Sequence, residues 1–136
     1  MSHQVYLSLG SNLGDRRQVL LSALALLGER VGTVERVSGF LETEPWGFQS
    51  DHLFLNACAL VSTRLTPREV LGATQQIERD LGRTHKSVDG RYSDRPIDID
   101  ILLYDDIQLD EGDLIIPHPH MTERDFVMIP LREILQ

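Results

Sequence analysis

The run Ile97-Asp-Ile-Asp-Ile101 alternates apolar and acidic residues without a break and continues into Leu102-Leu-Tyr104. Period two is the repeat of a β-strand, so three isoleucines take one side and two carboxylates the other. A strand with such unequal faces needs a core under the isoleucines and water or a ligand over the aspartates. That requirement constrains the fold more than any other segment does.

The rest of the chain supplies partners. Val5-Tyr-Leu-Ser-Leu9 alternates in the same way and stops at Gly10, and Gly10-Ser-Asn-Leu-Gly14-Asp reads as a turn. From Arg16 to Glu29, Val19, Leu20, Ala23, Leu24 and Leu27 recur at helical spacing, with Gly28 or Gly32 marking the end. Val34 to Leu41 and Leu53 to Thr63 read as two more strands around a long loop, Glu42 to Asp51. In Thr66-Pro-Arg-Glu69 the threonine can cap the Glu69 amide, Glu69 can reach back, and Pro67 suits the first helical position. The helix that follows would bury Val70, Leu71, Thr74, Ile77 and Leu81 and close at Gly82. A second long loop, Arg83 to Pro96, precedes the alternating strand. A turn at Asp105-Asp106, a partner strand near Ile107 to Leu109 and a helical tail with Phe126, Leu131 and Ile134 complete the chain. The order is β-α-β-β-α-β with an added hairpin. It predicts an α+β fold of ferredoxin-like type, one antiparallel sheet with packed helices.

A chain of 136 residues suits one domain, 1–136. Thirteen Lys and Arg against twenty-one Asp and Glu give a net charge of −8, a poor surface for nucleic acid. The longest apolar stretch, Val19 to Leu27, is broken by Ser22 and is about half of the roughly 20 residues that span a bilayer, so no membrane partner is expected. The first residues lack a secretory pattern, and the single Cys58 supports neither a disulfide framework nor a zinc knuckle. A cytoplasmic monomer is the expectation.

Asp98 and Asp100 project from one strand face with Cα atoms roughly 7 Å apart. Two carboxylates so placed repel each other, and a divalent cation relieves that repulsion; a solvated strand face is the alternative. Just upstream, Arg79, Arg83, Lys86, Arg91 and Arg95 gather five cations in an acidic chain. Guanidinium forks match phosphate oxygens, although Glu78, Asp80, Asp89 and Asp94 are also within reach as partners. Gly10-Ser-Asn-Leu-Gly14 lacks the Gly-Lys-Ser/Thr ending of a phosphate loop. Asn56 is an amide in the apolar run Leu53-Phe-Leu-Asn-Ala-Cys58, and a planar heterocycle would satisfy it. His118 and His120, between prolines, can be metal ligands, phosphate donors or plain loop histidines. On these residues alone a metal-dependent phosphohydrolase and a non-catalytic ligand-binding module also stand.

The chain resembles the 6-hydroxymethyl-7,8-dihydropterin pyrophosphokinases of folate biosynthesis, which transfer pyrophosphate from ATP to a pterin alcohol and release AMP. The resemblance runs through Leu9-Gly-Ser-Asn-Leu-Gly14, Phe40-Leu-Glu-Thr-Glu-Pro-Trp-Gly47, Phe54-Leu-Asn-Ala57, Gln75-Gln-Ile-Glu78, Gly82-Arg83, Asp94-Arg-Pro-Ile-Asp-Ile-Asp-Ile101, Pro117-His118 and Arg124-Asp-Phe126. It implies that Asp98 and Asp100 bind two Mg²⁺ ions with ATP, and that Arg83 and Arg95 join them in catalysis. It implies pterin contacts at Thr43, Trp46, Phe54, Asn56, Asp98 and Phe126. ATP contacts are implied at Gln75, Glu78, Arg83, Arg95, Ile101, His118 and Arg124, and at His85, which stands where relatives have an arginine. Ser93-Asp94 replaces a usual Gly-Pro, Tyr92 stands near a frequent tryptophan, and Pro119 replaces an aromatic. The two long loops would act as lids over the bound substrates.

Overall fold

A computed structural model describes residues 2–44, 52–82 and 96–135. The expected loops therefore fall largely outside the described residues, and with them Trp46, Arg83, His85, Tyr92 and Arg95.

Strand β1 (His3–Ser11) leads through a turn into α1 (Arg16–Arg30), and β2 (Gly32–Val37), β3 (Leu41–Thr43) and β4 (Phe54–Thr63) follow. Helix α2 (Pro67–Asp80), β5 (Asp98–Tyr104), a small pair β6 (Leu109–Asp110) and β7 (Ile115–Ile116), a short 3-10 turn (Met121–Glu123) and α3 (Asp125–Ile134) complete the order. The main sheet runs β2-β4-β1-β5, with β3 added beside β4, and all its pairings are antiparallel. The described residues form a mixed α and β protein with an antiparallel sheet and three α-helices.

The helix signals are realised as read. Asp15 accepts the Gln18 amide at the start of α1, and Leu20, Ala23 and Leu27 are buried. Of the two glycines that might end this helix, Gly28 stays inside it and Gly32 opens β2, where a Cβ would lie 1.9 Å from the Ser62 carbonyl oxygen. At α2, Thr66 Oγ1 accepts from Glu69 N at 3.2 Å while Glu69 Oε1 accepts from Thr66 N at 2.9 Å. Gly82 takes φ +102 beyond the helix.

Three strand expectations change. Gly10 does not stop the first strand but lies inside β1, paired on both sides with Asn56 and Asp98. The strand expected over Val34 to Leu41 is split. Cys58 N donates to Ser38 Oγ at 2.9 Å, so a side chain replaces the ladder carbonyl, and Gly39 N donates to Glu133 Oε1 of α3 at 2.9 Å. The third is the hairpin at Ile107 to Leu109, which does not pair with β5. Asp105, at φ 48, turns back toward β1: its amide donates to the Gln4 carbonyl at 2.8 Å, and its carboxylate accepts from Gln4 N at 2.7 Å. Leu109 then pairs with Ile116 in the separate two-stranded sheet. Strand β5 is thereby left as an edge of the main sheet.

The core lies between the sheet and helices α1 and α2. Val5, Leu7 and Leu9 of β1 meet Ile99 and Ile101 of β5, Ala59 and Val61 of β4, and Leu20, Leu27, Val70 and Ile77 of the helices. A smaller cluster fills part of the opposite face, where Cys58, Leu60 and Leu102 pack under Val127, Leu131 and Ile134 of α3. Beyond the start of α3 no described helix covers that opposite face.

Candidate active site

On the part of the sheet that no described helix covers, three strands present a row of matched positions. Gly10 pairs with Asn56 on one side and with Asp98 on the other, and Ser8 pairs with Asp100. Alternation puts these residues on one face, while Leu7, Leu9, Ile99 and Ile101 take the other. Gly10 matters at the centre: a Cβ there would sit 3.1 Å from Asn56 Oδ1 and 3.4 Å from the Phe54 ring. The missing side chain makes a floor. Above it opens a cleft of about 420 Å³, walled by Thr43, Phe54 and Asn56 on one side and by Asp98, Asp100, Arg124 and Phe126 on the other.

Seven residues picked from the sequence therefore line one cavity, although they come from β3, β4, β5 and the start of α3. Asn56 is 2% exposed, and its amide nitrogen donates to the Leu41 carbonyl at 3.2 Å and to Thr43 Oγ1 at 2.8 Å. The protein itself thus satisfies the donors that the sequence reading assigned to a heterocycle. Its Oδ1, above Gly10, is the atom on the cleft side. Arg124 is buried beside the cleft with its guanidinium carbon 5.6 Å from the centre of the Phe126 ring, close enough for the ring quadrupole to attract it.

His118 lies behind this wall. Its backbone amide donates to the Leu102 carbonyl at 3.0 Å, and its Nδ1 accepts from the His120 amide at 3.2 Å. Burial first, then the charges of Arg124 and His120, push its pKa down to about 4 against the opposing pull of Asp98. At neutral pH the ring is uncharged. With Nδ1 held as acceptor the proton sits on Nε2, which makes His118 a pH-independent donor.

Other expected ATP contacts lie outside the cleft. Glu78, on α2, is 2% exposed, and its Oε2 accepts the Ile99 amide at 2.8 Å from the edge side of β5. Gln75 sits one turn earlier and is half-buried. The Ile101 side chain is buried in the core. Ile101 shares the phase of Ile99, whose amide faces the sheet edge, so its own backbone groups belong to that edge as well. Trp46, Arg83, His85 and Arg95 lie outside the described residues. Ser8, Gly10 and Glu44 line the cleft without having been picked. Tyr6, Ser8 and Gly10 alternate with Val5, Leu7 and Leu9, so the small residues on that face were a readable signal once the face was known.

Asp98 and Asp100 suit a divalent cation: hard oxygen donors, side by side, at the mouth of a cavity. Among the described residues no cluster of three or more His, Cys, Asp or Glu is poised to hold a metal. A cation on the pair would complete its shell with oxygens of water or of a bound phosphate chain.

The sheet and its cleft define a small α+β protein with a carboxylate pair lining a cavity on one sheet face. A family model described as 7,8-dihydro-6-hydroxymethylpterin-pyrophosphokinase (HPPK) matches residues 6–136. The 2-amino-4-hydroxy-6-hydroxymethyldihydropteridine pyrophosphokinase of Porphyromonas gingivalis is 56% identical over 133 residues, covering 96% of this chain and 89% of that relative. The enzyme of the same name from Bacillus subtilis is 44% identical over 137 residues, covering 100% of this chain and 80% of the relative. Among solved structures, wild-type Plasmodium falciparum HPPK-DHPS with SDX-DHP superposes with a TM-score of 0.78 at 17% identity, covering 97% of this chain and 40% of that longer one. That likeness shows the fold. The chain belongs to the 7,8-dihydro-6-hydroxymethylpterin-pyrophosphokinase family.

Proposed function

We propose that the cleft above Gly10 is where this pyrophosphokinase of folate biosynthesis works, transferring pyrophosphate from ATP to the hydroxymethyl group of 6-hydroxymethyl-7,8-dihydropterin and releasing AMP. The observation that carries the assignment is the row Asn56, Gly10, Asp98. An amide fit to read a heterocycle edge and a carboxylate fit to hold a cation stand two strands apart over a glycine floor, roughly 10 Å between their Cα atoms. Thr43, Asn56 and Trp46 would hold the pterin edge, with Phe54 and Phe126 on its faces. Asp98 and Asp100 would hold two Mg²⁺ ions. When bound, such ions neutralise phosphate charge and hold the phosphates in line.

The residues of the chain then have distinct tasks. Phe54, Asn56 and Phe126 orient the pterin so that its hydroxymethyl oxygen faces the β phosphorus. A bond forms between that oxygen and the β phosphorus, the bond from the β phosphorus to the oxygen bridging it to the α phosphorus breaks, and AMP departs with the bridging oxygen. Arg83, Arg95 and Arg124 would offset the charge that develops on the phosphates, and the neutral His118 donates through Nε2. Gln75, Glu78, His85 and the Ile101 backbone would take the nucleotide along the β5 edge. The hydroxyl proton passes to Asp98, Asp100 or solvent.

We read the sheet order as the ferredoxin-like βαββαβ arrangement, with β3 and the β6–β7 pair as additions. We propose a cytoplasmic monomer that binds neither nucleic acid nor membrane. No helix among the described residues is long and apolar enough to cross a bilayer. The test is direct: incubate the protein with ATP, Mg²⁺ and the pterin alcohol and identify the products. AMP and pyrophosphorylated pterin in equal amounts are expected. AMP with no pterin product would mean that water is the nucleophile and would overturn the assignment.

A further inference from the structure

Thr43 and Phe54 face each other across β3 and β4, and the chain leaves the sheet after one and returns before the other. The placement of this wall of the cleft therefore depends on what fixes these two stems. Strand β3 has three residues and among the described residues pairs with β4 alone, a short ladder to hold a wall. One side chain outside the sheet reaches both stems. Arg16 donates through Nη2 to Glu42 Oε2 at 2.7 Å on the outgoing stem, and through Nη1 to the Leu53 carbonyl at 2.8 Å on the returning stem. Beside it Asn12, 2% exposed, donates from Nδ2 to the His52 carbonyl at 3.2 Å.

Asn12 lies in the turn Gly10-Ser-Asn-Leu-Gly14, which is not a phosphate loop, and Arg16 follows it by two residues. In the structure Gly14 takes φ +71 there and the turn delivers Arg16 to the first position of α1. That helix is fixed, since Leu20, Ala23 and Leu27 are fully buried. The guanidinium is thus tied to the core at one end and to both stems at the other. A planar fork with two separate nitrogens suits two acceptors at once, which a single ammonium on a flexible stem does not.

We infer that Arg16 is a positioning residue for the pterin: by bridging Glu42 and Leu53 it holds the wall made by Thr43 and Phe54 in place relative to helix α1. This rests on the reading of the cleft as the pterin site. Arg16 and Glu42 are partly exposed, so the ion pair adds little to overall stability. Its effect falls on geometry. The nucleotide groups, on the β5 and α2 side, are spared.

The experiment compares wild type with Arg16→Ala, Arg16→Lys and Glu42→Gln. Calorimetry measures binding of a non-hydrolysable ATP analogue alone, then of the pterin alcohol with the analogue and Mg²⁺ present; kinetics and thermal melting run alongside. Arg16→Ala should raise the pterin Kd and KM about tenfold, equivalent to about 1.4 kcal/mol. The analogue should stay within about twofold and the melting temperature nearly unchanged. Arg16→Lys and Glu42→Gln, each retaining part of the bridge, should fall in between. A pterin KM for Arg16→Ala within about twofold of wild type, or equal weakening of pterin and analogue with a matching loss of stability, overturns the inference. If wild type binds the pterin and Arg16→Ala is indifferent, only the positioning role falls. A wild-type protein that does not bind the pterin overturns the cleft assignment and the Arg16 role together.

Discussion

The two faces of strands β1, β4 and β5 are made from the same three stretches of chain, yet they do opposite work. Toward α1 and α2 the strands offer Val5, Leu7, Leu9, Val61, Ile99 and Ile101, all nearly without exposure. Toward the cleft they offer Ser8, Gly10, Asn56, Asp98 and Asp100. The α3 cluster covers only part of that second face, and the remainder holds polar groups that a helix would have had to desolvate at considerable cost. The lesson is that period-two alternation segregates stability from chemistry within one sheet. Residues next to each other in sequence should fail in different ways when replaced.

The sharpest test is on the cleft side. Asp98→Ala or Asp100→Ala should lower product formation by roughly a thousandfold or more, because electrostatic control of phosphate charge is lost, while thermal melting shifts by no more than a few degrees. A variant that keeps near wild-type turnover would break the comparison. The neighbouring core residue should behave in reverse. Leu7→Ala removes a fully buried side chain and should cost about 3 kcal/mol in denaturant unfolding, with turnover per folded molecule close to wild type. Loss of activity without loss of stability would show that the two faces are not independent.

Asn56→Ala tests the boundary, since this amide serves both the fold and the cleft. Loss of its bonds to Leu41 and Thr43 should destabilise the protein by about 1–2 kcal/mol. The pterin Kd should rise by roughly ten- to a hundredfold with the nucleotide Kd nearly constant, and calorimetry with each ligand separates the two effects. The smallest effect expected is in pH. His118 has its folded pKa pushed down to about 4 from an ordinary 6.5, so below 6.5 the unfolded chain takes up a proton that the folded one refuses. The contribution of this group to stability is complete above pH 6.5 and is lost as pH falls toward 4. In metal-free protein, His118→Gln should flatten the melting temperature between those two values. Parallel pH profiles for variant and wild type would remove the half-buried neutral imidazole from the account.

Much of the cleft was legible because its residue types are informative wherever they sit. The alternation at Asp98 and Asp100 assigned both carboxylates to one face, and Asn56 stood out as an amide in an apolar strand. Gly10 and Ser8 were passed over because small residues carry no chemistry of their own; they acquire a role only through register with Asn56 and Asp98. The ion pairs to Asp80 and Asp113 were likewise beyond sequence reasoning. The Arg30 and Arg68 guanidinium groups hold these carboxyls below the ordinary range from 50 and 45 positions away.

What the sequence determined by itself is local: the capped start of α2 at Thr66, the buried stripe of α1, and the two-sided character of β5. Each rests on interactions within a few residues, which the order of side chains specifies directly. The tertiary structure decided the rest. Among the described residues strand β5 gained no second strand partner because Asp105 turned back onto Gln4 rather than forward into a hairpin. The expected second strand broke at Ser38 because a hydroxyl competed for the Cys58 amide. Arg16 gained a task because helix α1 delivers it to stems 26 and 37 residues away in sequence. Pairings at that separation depend on which surfaces the chain brings together, and alternation fixes only which side of a strand a residue faces.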